Sequence, residues 1–352
     1  MKETYALHTS FPLAATSWNG TRATEDCMMI MGGTSVGKLL APGGTLPMAY
    51  AVLEEGAEAV FVGALGWSRR PSQMDLRDEE IRELNEFAGG SGREVKVAIN
   101  AMPGPTEMPL LLRKVERFVD WGVSGLIISD PGCIVEVRRH FPSLAIHTSV
   151  GCALTNTEDL RFYMGLGVNY VILPYRFTAE EVRALKEELK VGLEVFLFQP
   201  LQGGLVCPGK CIMSSYLVYK EWTDGGEDGF VGTANRGARG CSRVCQTGWE
   251  VEVLDRNGSK KTTLRTDPIF MLWELPGFVR AGVEYLKIQG RERSLELVRD
   301  SVRFYRALVD EVKASPEQVS LEPFVAPWQE LRKRWTMERS RRAGMLLCEA
   351  AV

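Results

Sequence analysis

Gly56-Ala57-Glu58-Ala59-Val60-Phe61-Val62-Gly63 sets a glycine, one turn and a short apolar run in a row. A glycine there ends the preceding helix, because it takes the left-handed conformation without a Cβ clash. The run after it, Ala59–Gly63, is apolar on both faces rather than alternating, as a strand buried between two layers must be. The same cue returns at Gly122-Val123-Ser124-Gly125-Leu126, at Gly165–Tyr170 and at Gly282-Val283-Glu284-Tyr285. Each marks a helix handing over to a buried strand.

Working outward from these joints, the sequence predicts eight strands: Lys38–Ala41, Ala59–Gly63, Val95–Asn100, Gly125–Ser129, Leu144–Thr148, Tyr170–Leu173, Leu193–Phe198 and Tyr285–Gln289. Helical patterns separate most of them, at Pro47–Glu55, Asp78–Phe87, Pro109–Trp121, Ile134–Phe141, Thr157–Met164, Ala179–Leu189 and Pro268–Ala281, and Ser294–Val312 follows the last. Alternating βα units imply parallel strands with right-handed crossovers. Eight such units are the closing number of a (β/α)8 TIM-type barrel, here spanning 38–312; an open doubly wound sheet is the alternative. Residues 1–37 form an N-terminal arm without a clear period. Residues 313–352 form a C-terminal extension in which Pro316, Pro323 and Pro327 mark an irregular connection before a helix at Trp328–Leu347.

One unit breaks the rhythm. Between the seventh strand and its helix lies an insertion, 199–267, too long for an ordinary loop, with a small β element at Trp249–Leu254. Loops that follow barrel strands lie on the face that carries chemistry. The insertion holds Cys207-Pro-Gly-Lys-Cys211 and Cys241-Ser-Arg-Val-Cys245, half of the chain's 8 cysteines. Four soft thiolates in one segment suit iron–sulfur or zinc. Three-residue spacing departs from the tight knuckles of structural zinc, and nearby glycines and the cations Lys210, Arg236, Arg239 and Arg243 suit an anionic cluster; zinc and unligated or disulfide-paired cysteines stand as alternatives. The 3 histidines are too few for a multi-histidine metal site.

Composition excludes other classes. Hydrophobic residues at 45% and charged residues at 25% match an ordinary globular chain and exclude disorder, a collagen repeat and a small disulfide scaffold. No apolar run approaches the roughly 18 residues of a membrane helix. Lys+Arg 42 against Asp+Glu 45 leaves −3, so whole-chain charge does not argue for nucleic acid. The start lacks an export pattern, so a cytoplasmic location is expected. Gly32–Lys38 imitates a phosphate loop, but it precedes a strand and has Leu39 where a magnesium-binding hydroxyl belongs. The basic run Arg332-Lys333-Arg334 with Arg339, Arg341 and Arg342 reads as a solvated helix face before an RNA contact.

Candidate site residues sit at strand ends. His147, in Ile146-His147-Thr148-Ser149, is the candidate proton donor or substrate ligand. Asn100, Asn156, Lys287 and Arg291 are candidate substrate contacts, with helix capping the stronger alternative for Asn100 and Asn156. Arg291 is suited to grip a carboxylate, against the alternative of a structural ion pair to a loop acid.

These motifs resemble the collagenase-like peptidases of family U-32. The resemblance rests on Leu40-Ala41-Pro42-Gly43-Gly44, Gly56–Gly63, Ile146–Ser149 with Asn156, Cys211-Ile-Met-Ser214, Asn235-Arg236-Gly237 through Cys245, and Lys287-Ile288-Gln289-Gly290-Arg291. It implies a [4Fe–4S] cluster on Cys207, Cys211, Cys241 and Cys245. It also implies oxygen-independent hydroxylation, with prephenate as oxygen donor in the RNA-modifying branch. The stretch Glu194–Pro200 lacks the histidine-glycine step the family carries there, and no nucleophile–base pair suited to peptide hydrolysis stands out. The short segment after the barrel is similar to the ubiquinone-pathway members, which act as partnered pairs. The expected substrate is therefore a small aromatic or quinone-like molecule, in a homo- or hetero-oligomer. The alternatives are hydroxylation of an RNA base, a U-32 peptidase, or a non-catalytic partner subunit.

Overall fold

The computed structural model describes residues 36–175, 177–200, 249–255, 258–264 and 268–348. Eight parallel strands close into a barrel: β1 (Lys38–Gly43), β2 (Ala59–Gly63), β3 (Glu94–Ile99), β4 (Gly125–Ile128), β5 (Ile146–Thr148), β6 (Tyr170–Ile172), β7 (Gly192–Phe196) and, last in sequence, β12 (Tyr285–Lys287). β12 lies between β7 and β1 and completes the ring. The (β/α)8 architecture is therefore present.

The helices between strands are α1 (Leu46–Glu54), α2 (Asp78–Gly90), α3 (Met108–Asp120), α4 (Pro131–His140), α5 (Thr157–Gly165), α6 (Ala179–Glu188) and α7 (Leu275–Arg280), and α8 (Leu295–Ala314) follows β12. Their apolar faces and the strands form one continuous core that includes Val60, Leu126, Val171, Val195, Phe278 and Leu308. The joints behave as their glycines require: Gly56, Gly122, Gly167 and Gly282 have φ of +98°, +81°, +91° and +76°. At the third joint the left-handed residue is Gly167 rather than Gly165, which still belongs to α5. Helix α4 begins three residues before its apolar pattern does, because Asp130 caps it by accepting the Cys133 N–H at 3.0 Å and Pro131 needs no N–H at the first turn.

The seventh unit differs from expectation. The strand predicted as Leu193–Phe198 stops at Phe196, and Phe198–Pro200 forms a separate strand, β8. β8 pairs antiparallel with β11 (Pro268–Phe270), so the predicted helix Pro268–Ala281 is a strand followed by the short α7. The physical reason is burial: Phe198 and Phe270 are both enclosed, 4.4 Å apart between ring centroids, and the pairing places them on one face. The β element of the insertion is a hairpin, β9 (Trp249–Asp255) with β10 (Gly258–Leu264). The four clustered cysteines and residues 1–35 lie outside the described residues.

The last helix, α9 (Glu322–Cys348), begins before Pro327, which it absorbs. It is anchored by Trp335, 1% exposed, against Phe198 and Phe270 at 4.8 and 5.0 Å. Trp328 also donates its indole N–H to the Phe270 carbonyl at 2.6 Å. The C-terminal extension thus braces the place where the chain leaves β7 and re-enters toward β12.

Candidate functional site

A column of buried polar side chains runs through the barrel. It is unusual because interior positions of such barrels are filled mainly by branched apolar residues. At the amino-terminal ends of the strands, Glu94 accepts from Lys38 Nζ at 2.5 Å, Lys96 Nζ at 2.9 Å and the Tyr285 hydroxyl at 2.6 Å. Burial pushes the Glu94 carboxyl up, but the two ammonium groups and the phenol outweigh it and hold the group at about 2. A carboxylate with a depressed pKa contributes stability above its unfolded value and loses it as pH falls through the folded one. Glu94→Gln should therefore cost roughly 3 kcal/mol at pH 7, the worth of a shift of this size. That difference should vanish as pH falls toward 2. Urea unfolding of both proteins at pH 7 and at acid pH checks it.

Above this base sits His147, in the middle of β5 and fully enclosed. Its ring stacks on Tyr170 at 4.4 Å with planes 17° apart. Its Nδ1 lies 3.0 Å from Glu194 Oε2, and the other Glu194 oxygen accepts from Lys287 Nζ at 2.5 Å. Burial raises the Glu194 carboxyl, but Lys287 and His147 bring it below the usual carboxylate range, so it is ionised. Burial, with the Lys96 and Lys287 cations, pushes His147 down to about 4 against the pull of Glu194. The imidazole is therefore neutral, and facing a carboxylate it must carry its proton on Nδ1. Nε2 then presents a bare lone pair and has no partner among the described residues. A neutral imidazole oriented by a carboxylate, with its second nitrogen unpartnered among the described residues, can accept a hydrogen bond or a proton there.

At the carboxyl-terminal ends the column continues along every second residue past β12. Lys287 Nζ lies 4.1 Å from the Phe61 ring centroid and faces Phe196. Gln289 accepts from the Tyr175 hydroxyl at 2.7 Å, and Tyr175 packs on Phe196 at 4.3 Å. Arg291 donates to Asp75 at 2.8 Å, to Ser68 Oγ at 3.2 Å and to the Met74 carbonyl at 3.2 Å. Two glycines make room for it. A Cβ on Gly44 would fall 1.9 Å from the Arg291 carbonyl oxygen, and one on Gly63 would fall 1.9 Å from Asp75 Oδ1 and 2.1 Å from Arg291 Nη1. Gly44 thus makes room for the Arg291 backbone, and Gly63 for the Arg291–Asp75 pair itself.

Of the residues expected from sequence, His147 and Lys287 meet through Glu194. Asn100 and Arg291 are tied to neighbouring residues of the loop after β2, since Asn100 Oδ1 accepts the Arg69 N–H at 2.8 Å beside the Ser68 that Arg291 holds. Two of the candidate contacts are engaged elsewhere in the structure. Asn156 stands apart from the column as the exposed N-cap of α5, accepting the Asp159 N–H at 3.0 Å. Arg291, expected as a ligand's carboxylate grip, is 8% exposed and spends its guanidinium on Asp75, Ser68 and Met74. Sequence reasoning passed over Glu194 and Glu94, and took Gln289 only as part of the Lys287–Arg291 motif at the eighth strand's end. The available signal was an acid inside an apolar strand, Gly192-Leu193-Glu194-Val195-Phe196. Among the described residues no group of three potential ligands is placed to hold a metal, and no helix is long and apolar enough to cross a membrane.

Comparison with known proteins gives consistent relatives. The tRNA hydroxylation protein P1 of Bacillus subtilis (strain 168) is 28% identical over 298 residues, covering 81% of this chain and 66% of that protein. The 23S rRNA 5-hydroxycytidine C2501 synthase of Escherichia coli (strain K12) is 25% identical, covering 78% of this chain and 39% of that one. A collagenase of Porphyromonas gingivalis (strain ATCC BAA-308 / W83) is 23% identical, covering 78% and 65%. The chain spans less than two thirds of the length of each of these three. A solved U32 peptidase structure matches 74% of this chain and 95% of its own at 13% identity, with a TM-score of 0.46. With the family model matching residues 44–341, from the Gly-Gly turn after β1 into α9, the chain belongs to Peptidase family U32.

Proposed function

We propose that this chain takes part in hydroxylating an RNA base, using a [4Fe–4S] cluster held by Cys207, Cys211, Cys241 and Cys245. The observation that carries the reading is the similarity along 81% of the chain to a protein named for tRNA hydroxylation, with an rRNA 5-hydroxycytidine synthase among the further relatives. These names favour RNA over the small aromatic substrate expected from chain length. The side-chain types gathered at this end of the barrel, the aromatics Phe61, Phe196 and Tyr175 beside Lys287 and Gln289, are those that stack on and hydrogen-bond a base. His147 Nε2, oriented through Glu194, is the chain's candidate to take a proton from a reacting carbon or oxygen.

The thiol donor set suits the cluster, which when bound supplies one-electron redox chemistry. The flanks of the cysteine segment are fixed at β8 and at the β9–β10 hairpin. The described thiols are poor competitors as ligands: burial pushes Cys133 up, and Cys152 up to about 11. The oxygen would come from a donor other than O2, for which the resemblance points to prephenate.

Deleting the gene in its host and profiling tRNA and rRNA nucleosides by mass spectrometry tests the function. Loss of a hydroxylated pyrimidine, restored by the wild-type gene, is expected, and an unchanged profile overturns the reading. The cluster is tested separately. Each of the four cysteines replaced by alanine should lower iron and sulfide content in protein purified without oxygen, whereas Cys133→Ala should not. Full iron in two of the four single variants would refute the ligand set.

A further inference from the structure

The loop after β2 turns through Trp67-Ser68-Arg69-Arg70, and groups from three other strand ends fix that turn. The Trp67 carbonyl accepts the Ala101 N–H at 3.0 Å. Asn100 Oδ1 accepts the Arg69 N–H at 2.8 Å, and the Asn100 carbonyl accepts the Ser129 hydroxyl at 3.1 Å. Ser68, fully enclosed, accepts the Arg70 N–H at 3.1 Å and an Arg291 N–H at 3.2 Å. Arg291 also ties the far side of the loop through Asp75 and the Met74 carbonyl. Residues past β3, β4 and β12 thus hold the backbone of two consecutive arginines whose side chains are half-buried. Arg69 lies close enough to the loop after β5 for its charge to favour the Cys152 thiolate. Arg70 lies close enough to Arg291 for the two guanidiniums to repel. Gathering like charges costs stability, which a loop with only a structural task avoids. Phe61, whose ring stands beside Lys287, lies on the strand that leads into this loop. The aromatic end of the column and the two arginines therefore belong to the same face of the barrel.

We propose that Arg69 and Arg70 form an anion-binding site at the rim of the barrel for the RNA phosphates that flank the nucleotide whose base enters the column. The inference rests on the RNA-base reading and adds to it where the backbone is held. Phosphate contacts set register and orientation and carry no base identity. An enzyme that acts on a base must draw it out of its stack and hold the strand as it does so. Guanidinium suits the task, because its planar fork matches two phosphate oxygens and its charge persists across the pH range. Each carries five N–H donors, more than a single neighbour consumes. A turn fixed in advance lessens the ordering that binding would otherwise require. The net charge of −3 does not oppose such a site, since in salt the attraction acts only over about 10 Å. The structural alternative is that Arg70 serves Asp75, whose carboxylate its charge also favours.

The test measures binding of host tRNA to the full chain, purified without oxygen, over a series of salt concentrations. Losing one phosphate contact should flatten the slope of log K against log salt by about 0.7–0.9 and weaken binding roughly tenfold at fixed salt. Arg69→Gln and Arg70→Gln should each do this at an unchanged melting temperature, and the double variant should flatten the slope about twice as much. Arg139→Gln removes the same charge from the last turn of α4, at the opposite end of the barrel, and should change neither quantity. An unchanged slope in a folded double variant overturns the proposal. So does an Arg70→Gln protein that melts lower and keeps its slope, or an equal flattening by Arg139→Gln. A small ligand separates this failure from failure of the RNA reading. The side-chain Nε–H signals of 15N-arginine-labelled protein, assigned with the two variants, should shift with adenosine monophosphate and not with adenosine. If tRNA does not bind but those signals shift in this way, the phosphate site stands and the RNA reading falls. If they shift with neither, or equally with both, the site falls.

Discussion

Replacing Glu194 by leucine should destabilise the protein by about 3–5 kcal/mol, the cost of stranding one member of a buried ion pair. Glu194 is fully enclosed and Lys287 4% exposed, so water cannot replace the lost carboxylate. Replacing Lys287 by methionine in the same chain should restore most of the loss, because a pair of apolar residues of similar volume needs no solvation. The sign of the pH dependence identifies the stranded group. Burial already lowers the Lys287 pKa, and without Glu194 nothing on that carboxylate's side opposes it. A folded state that binds the proton less well than the unfolded chain loses stability as pH falls. The penalty of Glu194→Leu should therefore deepen from pH 9 to pH 6 and flatten in the double variant. Urea unfolding at those two pH values is the measurement. A single variant as stable as wild type would show that Lys287 has another partner or sits there uncharged.

The same experiment bears on chemistry. If the column were only a structural plug, the Glu194→Leu/Lys287→Met protein would be as useful as the wild type. If His147 is the proton acceptor, that doubly apolar protein folds but has lost the carboxylate that holds Nδ1–H, and hydroxylation of RNA in the host should fall with it. A restored stability with a lost modification would separate the two roles.

Much of the barrel is legible because its cues are local. A glycine with positive φ, an apolar run and a returning helix occupy a dozen residues, and Gly56, Gly122 and Gly282 announce their joints without tertiary information. Where burial decided against local pattern, the reading failed. Pro268–Phe270 sits in a helix-compatible stretch and becomes a strand because Phe270 packs on Phe198 and Trp335. The site divides in the same way. His147 and Lys287 stand out as polar residues at apolar strand ends. Their connection through Glu194 joins positions 47 and 93 residues apart, which only closure of the ring brings together. Asp75 was invisible for the same reason. It lies in the long loop after β2, and its partner arrives 216 residues later.

That partner carries the second large effect. Arg291→Met should cost about 3–5 kcal/mol at neutral pH, because Asp75, with a side chain 1% exposed, is left without its cation. Burial pushes the Asp75 carboxyl up to about 6 even with Arg291 beside it. A carboxyl raised above its unfolded value gives its full stability below that value and loses it as pH rises through the folded one. Without Arg291 the rise is larger still, so the penalty should grow from pH 5 to pH 8, opposite in sign to that of Glu194→Leu. Arg291→Lys should recover only part of the loss. An ammonium can meet Asp75, but it cannot hold Asp75, Ser68 and the Met74 carbonyl with the fork of a guanidinium. The sequence left two readings of Arg291, a grip on a ligand's carboxylate, for which a lysine variant would keep its stability while losing affinity, and an ion pair to a loop acid. Melting temperature and affinity for tRNA of the host, measured on the same Arg291→Lys preparation, decide between them. A stability loss with proportionately retained affinity assigns Arg291 to the loop that shapes the mouth. An unchanged melting temperature with weakened binding assigns it to the ligand, and would require the Asp75 contact to open when the ligand arrives.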